Sequence, residues 1–293
     1  MEMYIQGIST LKVKKITEEL CGLDISRSQV SNWAKNLDEE ISIWRNRPLE
    51  KEYPSLVIDA RYENVRRREH VVSQGVLLVV GISKDGYREL LGVWCTDSEN
   101  EQNCSDVFSD LKERGLKGVT YIVSDDHKGL EKSVKRHFQG VLWQRCQVHF
   151  IRNVLNLVSL KDRSTILRYL KEIIESTRLE SAKKRRHEAV DALESSHPEV
   201  AAFLDTYGEE ILAVYALLES HRKRIRSTNM LERYNQEIKR RTRVVRMFPN
   251  EQSCIRLIAA LAIETNEEWM ARRYLTMNNE KEVSESTTDT MAA

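Results

Sequence analysis

Residues 122–130 read "IVSDDHKGL". An apolar, strand-like run stops at two adjacent acids, Asp125 and Asp126, and a His, a Gly and a helical pattern follow. One acid at such a place commonly caps a helix; a second asks whether one of the pair holds a metal. Upstream, "GVTYIVS" (118–124) completes a strand. Downstream, Leu130, Val134 and Phe138 recur at helical spacing, and "GVLWQRC" (140–146) is a further strand.

Earlier segments supply three more strands. "SLVIDA" (55–60) is a short apolar run, and "GVLLVVGIS" (75–83) and "YRELLGVWC" (87–95) flank a turn at Asp85-Gly86, the composition of a hairpin. Ser98 and Glu101 are spaced as a capping box. Cys104, Val107, Phe108 and Leu111 then share one helical face that stops before Gly115. The order β-β-β-α-β-α-β is the layout of a ribonuclease-H-like core, though other α/β domains begin similarly.

In such a sheet the first and fourth strands are neighbours, which brings Asp59 and Asp125 face to face. Two nearby carboxylates repel, and divalent metal between them makes the arrangement stable. Mg²⁺ prefers oxygen ligands and keeps waters that phosphate oxygens can replace. Two ions roughly 3.5–4 Å apart suit phosphodiester chemistry. A third acid is expected, and Glu232 is the candidate. Met230, Tyr234 and Ile238 form a buried stripe, while Glu232 lies about 200° from Met230 with Asn229, Asn235 and Gln236. A lone helical Glu is more often a solvated salt-bridge partner.

The net charge of +1 conceals an asymmetry. Between His221 and Arg246 ten Lys/Arg meet only Glu232 and Glu237. Arg222, Lys223, Arg224, Asn229, Arg233, Lys239, Arg240, Arg241 and Arg243 are the expected DNA-contacting side chains there, positioning the backbone without reading sequence. Five scattered cysteines (Cys21, Cys95, Cys104, Cys146, Cys254) argue against a disulfide framework and for a reducing cytoplasm. No run approaches the roughly 20 apolar residues of a membrane span. Residues 278–293 are acidic, Ser/Thr-rich and expected to be disordered.

Residues 1–46 read as helices. "STLKVKKITEELCG" (9–22) ends in Gly22, and "ISRSQVSNWAKNLDEEISIW" (25–44) begins with a capping Ser. The pair resembles a helix-turn-helix whose second helix offers Arg27, Gln29, Asn32 and Lys35 to DNA; an ordinary helical hairpin is the alternative. "RNRPLEKEYP" (45–54) reads as a linker. From about 147 to 220 the pattern is helical, with a stripe at Ile166, Leu167, Leu170, Ile173 and Ile174 and a charge run, "AKKRRHE" (182–188), expected to be a solvated face.

Four blocks, "LVIDARYENVR" (56–66), "VSDDHKGL" (123–130), "WQRCQVHFIRNV" (143–154) and "STNMLERYNQEIKRRTRVVRMFPN" (227–250), followed by "RLIAALAIETNEEW" (256–269), together resemble bacterial insertion-sequence transposases of the Mutator-like class. These are DDE transposases. The resemblance implies a ribonuclease-H-like core (54–156 and 221–277) interrupted by an all-helical insertion (157–220) and preceded by a partial helix-turn-helix. It implies a triad of Asp59, Asp125 and Glu232, with Mg²⁺ (or Mn²⁺), in two ions, as cofactor. The acid directly after Ser is the catalytic one, leaving Asp126 to cap the next helix or assist nearby.

Cys146 and His149 form a C-x-x-H pair; zinc is one reading, a buried Cys another. The same motif occurs near the active site in the resembling class, so both residues are expected to support the site. The implied activity is cleavage at element ends and strand transfer into target DNA. The partners would be double-stranded DNA (terminal inverted repeats and target) and a second copy or more, near the nucleoid. The class usually carries a further N-terminal DNA-binding segment ahead of the region where this chain starts. An inert DNA-binding regulator and a structure-specific nuclease are the other functions this pattern admits.

Overall fold

In the computed structural model, residues 26–96 and 100–277 are described. Their centre is a five-stranded mixed sheet made by β1 (Ser55–Arg67), β2 (His70–Ile82), β3 (Arg88–Thr96), β4 (Tyr121–Ser124) and β5 (Leu142–Arg145), in the order β3-β2-β1-β4-β5. The β1–β2 and β2–β3 pairs are antiparallel; β4 runs parallel to both β1 and β5. Tight turns suffice for the first two connections, whereas parallel pairing demands crossovers. These are supplied by α2 (Glu101–Glu113) and α3 (Lys128–His137), with α1 (Arg27–Arg45) preceding the sheet.

Side-chain alternation splits the sheet's burial into two cores. Leu56, Ile58, Leu77, Val79 and Ile122 meet Val107, Phe108 and Leu111 of α2 and Leu130 and Val134 of α3. On the opposite face Val57, Leu78, Val80, Tyr121 and Val123 meet α9 (Asn229–Val245) and α10 (Glu251–Met270), through Met230, Leu231, Tyr234, Ile238, Leu257, Ile258 and Leu261. Coverage on both faces explains why β2 is a continuous apolar run in place of an alternating one. The N-terminal helix α1 packs Ile41 on Ala259 and Ala260 of α10.

Between β5 and α9 the chain is helical: α4 (Gln147–Leu155), α5 (Arg163–Ile174), α6 (Leu179–Leu193), α7 (Pro198–Tyr207), two 3-10 turns (Gly208–Ile211 and Ala213–Ala216) and α8 (Glu219–Ile225). These share their own core, including Phe150, Ile166, Leu170, Ile173, Leu193 and Leu204. The stripe expected in α5 is therefore present.

Several local expectations shift. The first helix after β3 is capped by Asn100, whose side chain accepts from the Asn103 amide, while Ser98 of the expected Ser98–Glu101 pair lies outside the described residues. Strand β1 runs seven residues past "SLVIDA", through the charged "RYENVRR", pairing with β2 in register as far as Arg67↔His70. Charge hid this segment because only one of its faces is buried. Arg186, within the presumed solvated run, is buried and hydrogen-bonds the Leu204 and Asp205 carbonyls. The first helix of the expected helix-turn-helix and the C-terminal tail lie outside the described residues.

The Asp85-Gly86 hairpin forms as read, and it has a second task. Gly86 has φ +85 and its carbonyl accepts from the amides of Tyr274 and Leu275, fastening the segment after α10 to the sheet. A Cβ at Gly86 would lie 2.0 Å from the Leu275 oxygen. Gly86→Ala is thus expected to destabilise the fold by about 2 kcal/mol or more, combining a left-handed backbone with a backbone clash. Chemical denaturation of the purified variant measures this.

Candidate active site

The sheet sets two aspartates at one height. In the parallel β1–β4 pair, Ser55 faces Tyr121, Leu56 faces Ile122 and Val57 faces Val123, an offset equal to that between Asp59 and Asp125. Two steps beyond the last recorded pair, these acids therefore arrive together at the same end of adjacent strands, roughly 5 Å apart in backbone spacing. Alternation gives both the face of Val57 and Val123, the one covered by α9.

Helix α9 answers from above. Its apolar stripe, Met230, Tyr234 and Ile238, is buried as expected, and the Tyr234 hydroxyl donates to the Ile258 carbonyl, so burial holds its pKa well above the usual range. Asn235, on the polar flank, donates Nδ2 to Asp59 Oδ2 at 2.6 Å. Arg61 fixes the same stretch by donating to the Asn235 carbonyl at 2.7 Å while pairing with Glu63. Glu232 is exposed in the first turn of α9, one turn before Asn235 on that flank. Among the described residues no group of three or more His, Cys, Asp or Glu side chains is gathered closely enough to hold a metal ion. The structure thus joins Asp59, Asp125 and the Asn235 flank without drawing Glu232 into a common shell.

His149, from α4, points Nδ1 at Asp125 Oδ1 at 3.4 Å. Asp125 Oδ1 also accepts the Asp126 amide at 2.7 Å. Cys146 is fully buried, and its sulfur accepts from the Thr228 amide at 3.4 Å. Burial, the largest single influence, opposes thiol ionisation, but the bond to His149, its charge and the backbone amides of Thr228 and His149 together outweigh it and lower the Cys146 pKa. His149 is correspondingly raised, first by Cys146 and then by the charges of Asp125 and Asp59, against the cost of burial. The C-x-x-H pair therefore forms a polar couple beneath the two aspartates, and among the described residues it does not enter a four-ligand zinc cluster.

Asp126 does something other than cap a helix. The N-cap of α3 is His127, without a side-chain cap bond, while Asp126 pairs with the guanidinium of Arg145. That guanidinium is buried, bonds Glu210 of the first 3-10 turn at 2.9 Å, and lies beside the rings of Phe150, Phe203 and Tyr207. Desolvation raises the pKa of both Asp126 and Glu210 despite the arginine's opposing charge. The chain Glu210–Arg145–Asp126–Asp125 links the helical segment to the sheet's acidic end. Sequence reading missed Arg145; an isolated Arg in the buried-strand run "LWQRC" was the available signal, since such a charge requires partners.

The expected DNA-contacting residues divide. Arg222 is engaged by the carbonyls of Leu217, Thr177 and Tyr215 and stacks on Tyr215, so its guanidinium is held within the fold. Arg241 is buried against Glu237, and Arg240 chelates the same carboxylate, holding Glu237 down to about 2. Arg224 lies over Tyr274. Lys223, Arg233, Lys239 and Arg243 are exposed, and so is Asn229 at the start of α9. In α1, Gln29 closes a capping box with Ser26, which occupies its side chain, whereas Asn32 is exposed. Arg27 and Lys35 lie on the same helix, and their side chains fall outside the described ones.

Among the described residues no helix is long and apolar enough to cross a membrane. Comparison with known proteins agrees with the arrangement of blocks. Residues 1–272 match the family described as "Transposase, Mutator family". The transposase for insertion sequence element ISRM5 of Rhizobium meliloti (strain 1021) is 44% identical over 282 residues, spanning 96% of this chain and 71% of that protein. The transposase for IS256 in transposon Tn4001 of Staphylococcus aureus is 38% identical (94% and 72%), and that for IS406 of Burkholderia multivorans is 41% identical (94% and 72%). The chain belongs to the Mutator family of transposases.

Proposed function

We propose that the protein is a DDE transposase that cleaves DNA at element ends and joins the freed ends to target DNA. In this reading the five-stranded sheet with α9 and α10 is a ribonuclease-H-like core, which the helical stretch 157–220 interrupts and 221–277 completes. The observation that carries it is the shared register of Asp59 and Asp125, which converges two carboxylates at one sheet edge beneath a basic helix.

The donor set suits hard divalent cations. It offers carboxylate oxygens from Asp59, Asp125 and Glu232, and beside them Asn235 Oδ1 is buried with no hydrogen-bond partner among the described residues. Bound Mg²⁺ or Mn²⁺ would supply activation of the attacking oxygen and stabilisation of the leaving one. Asp59, Asp125 and Glu232 would hold it. Asn235 orients Asp59, and the Asp126 amide together with His149 orients Asp125. The exposed cations Lys223, Arg233, Lys239 and Arg243 bring the phosphodiester backbone to that edge. Water opens the phosphodiester first, and the resulting 3′-hydroxyl then attacks target DNA, so no protein nucleophile is required. Joining two ends in one reaction favours a dimer or larger assembly.

The test is to incubate the protein with a labelled pre-cut element end, a plasmid target and Mg²⁺ or Mn²⁺, beside Glu232→Gln. Joined products that disappear in the variant are expected. Retained DNA binding with no joining in the parent protein points to an inert regulator, and joining unaffected by Glu232→Gln means another acid completes the site.

A further inference from the structure

We infer that the outer half of the β1–β2 hairpin is a contact surface for duplex DNA, presenting Arg66 and Arg68 to backbone phosphates. This rests on the reading of the protein as a DNA-processing enzyme and adds a surface outside α9 and α1.

Only two strands persist there. Pairing of β2 with β3 begins at Gly75↔Thr96, and pairing of β1 with β4 ends at Val57↔Val123, so residues 62–67 and 70–74 continue as a two-stranded ribbon. Because β1 runs toward the edge where Asp59 sits, the ribbon extends beyond the paired aspartates. Seven residues separate Asp59 from Arg66, about 23 Å of strand. That is less than one helical turn of B-form DNA, about 34 Å. By alternation Arg66 stands on the ribbon face opposite to Asp59, so a duplex that reaches from the site to Arg66 passes the tip of the ribbon, where Arg68 stands.

One face is anchored. Val65 bridges Phe248, the Arg66 amide donates to the Phe248 carbonyl at 2.9 Å, and the Phe248 amide donates to Asn64 at 2.8 Å. Arg67 pairs with Glu251 at 3.0 Å and bonds Gln74 at 2.8 Å. The other face carries the alternate residues Tyr62, Asn64 and Arg66, with Ser73 and Val71 opposite the last two, all exposed. Anchoring makes the ribbon rigid, and a ribbon of two strands is of a size the major groove admits.

The turn adds a second sign. Arg68 has φ +53, a left-handed conformation that such hairpin turns usually give to Asn or Gly. Arg66, Arg68 and His70 are all exposed around it, and Arg66 and Arg68 make no ion pair with an acid among the described residues. An arginine kept where glycine is easier, at the tip of a rigid ribbon rising past two acids, fits recognition of phosphate. Tyr62, at 54% exposure, and Val71, at 53%, supply the contact area beside it.

Fluorescence anisotropy of a labelled duplex, titrated with the full chain over a series of salt concentrations, tests this. Arg66→Gln/Arg68→Gln is expected to bind roughly tenfold more weakly at moderate salt. Losing two phosphate contacts lowers the slope of log affinity against log salt by about 2. Arg66→Lys/Arg68→Lys retains the parent slope, and melting of all forms stays together. A photocrosslinking side chain at Val71 attaches to the duplex on irradiation. Parent-like affinity and slope in the Gln variant, without crosslinking at Val71, overturn the inference while leaving the transposase reading intact. A parent protein that binds no duplex at all overturns that reading, and this inference falls with it. Should the Gln variant melt early, the crosslink and the Lys variant decide.

Discussion

Asp59→Asn and Asp125→Asn are each expected to reduce DNA cleavage and joining by at least about a thousandfold while leaving the protein folded. The magnitude follows from the role: a carboxylate that holds a catalytic divalent ion underwrites several kcal/mol of transition-state stabilisation, at 1.36 kcal/mol per factor of ten. Both changes conserve shape. At position 59 the substituted amide oxygen can still accept from Asn235 Nδ2, which now makes a 2.6 Å bond to the carboxylate. At position 125 it can still accept the Asp126 amide. Removing one of two acids at the same strand register also relieves like-charge repulsion, so neither variant should melt earlier than the parent. Loss of activity without loss of stability is the diagnostic combination, since a merely structural aspartate would show the reverse. Single-turnover cleavage of an end substrate, alongside calorimetric melting and duplex binding, measures all three. An Asp59→Asn variant that cleaves at parental rate would remove Asp59 from the active site.

Much of the sheet was legible because each strand's apolar run is bounded by turn chemistry, and because Asp59 and Asp125 stand where such runs stop. The pairing that makes them neighbours was inferred from element order; the register that aligns them emerges only from the folded sheet. Illegible were features whose meaning depends on distant partners. "RYENVRR" is a strand because Phe248 and Glu251 cover one of its faces. Arg222 resembles its basic neighbours in sequence, yet three carbonyls engage it. Asp126 reads as a cap from local spacing, and the helix that follows simply leaves it to Arg145. Local periodicity reports which face is buried; it carries no information about which charge is already satisfied.

Arg145 is where that limit matters most, and Arg145→Met is expected to be the most destabilising polar substitution in the site. The methionine fills similar volume between Phe150, Phe203 and Tyr207, so packing is largely kept. What is lost is the cation between two acids. Breaking a buried pair by removing one partner costs about 3–5 kcal/mol. Asp126 and Glu210 retain 35% and 26% side-chain exposure and can turn toward water, which lowers the expected cost to roughly 2–4 kcal/mol. Both acids already have raised pKa values, mainly through desolvation, with Arg145 opposing that rise. Removing the arginine raises them further. A carboxyl whose folded pKa lies above its unfolded value destabilises the fold at neutral pH and ceases to do so as pH falls and it protonates. The deficit of Arg145→Met should therefore shrink between pH 7 and pH 5. Adding Glu210→Gln should recover part of it at pH 7, because one uncompensated charge is gone. Denaturant melts of the parent, single and double variants at the two pH values test this. A deficit that persists unchanged at pH 5, or a double variant weaker than the single, would mean that Arg145 stabilises through its packing. In that case Asp126 holds the Asp125 loop without it.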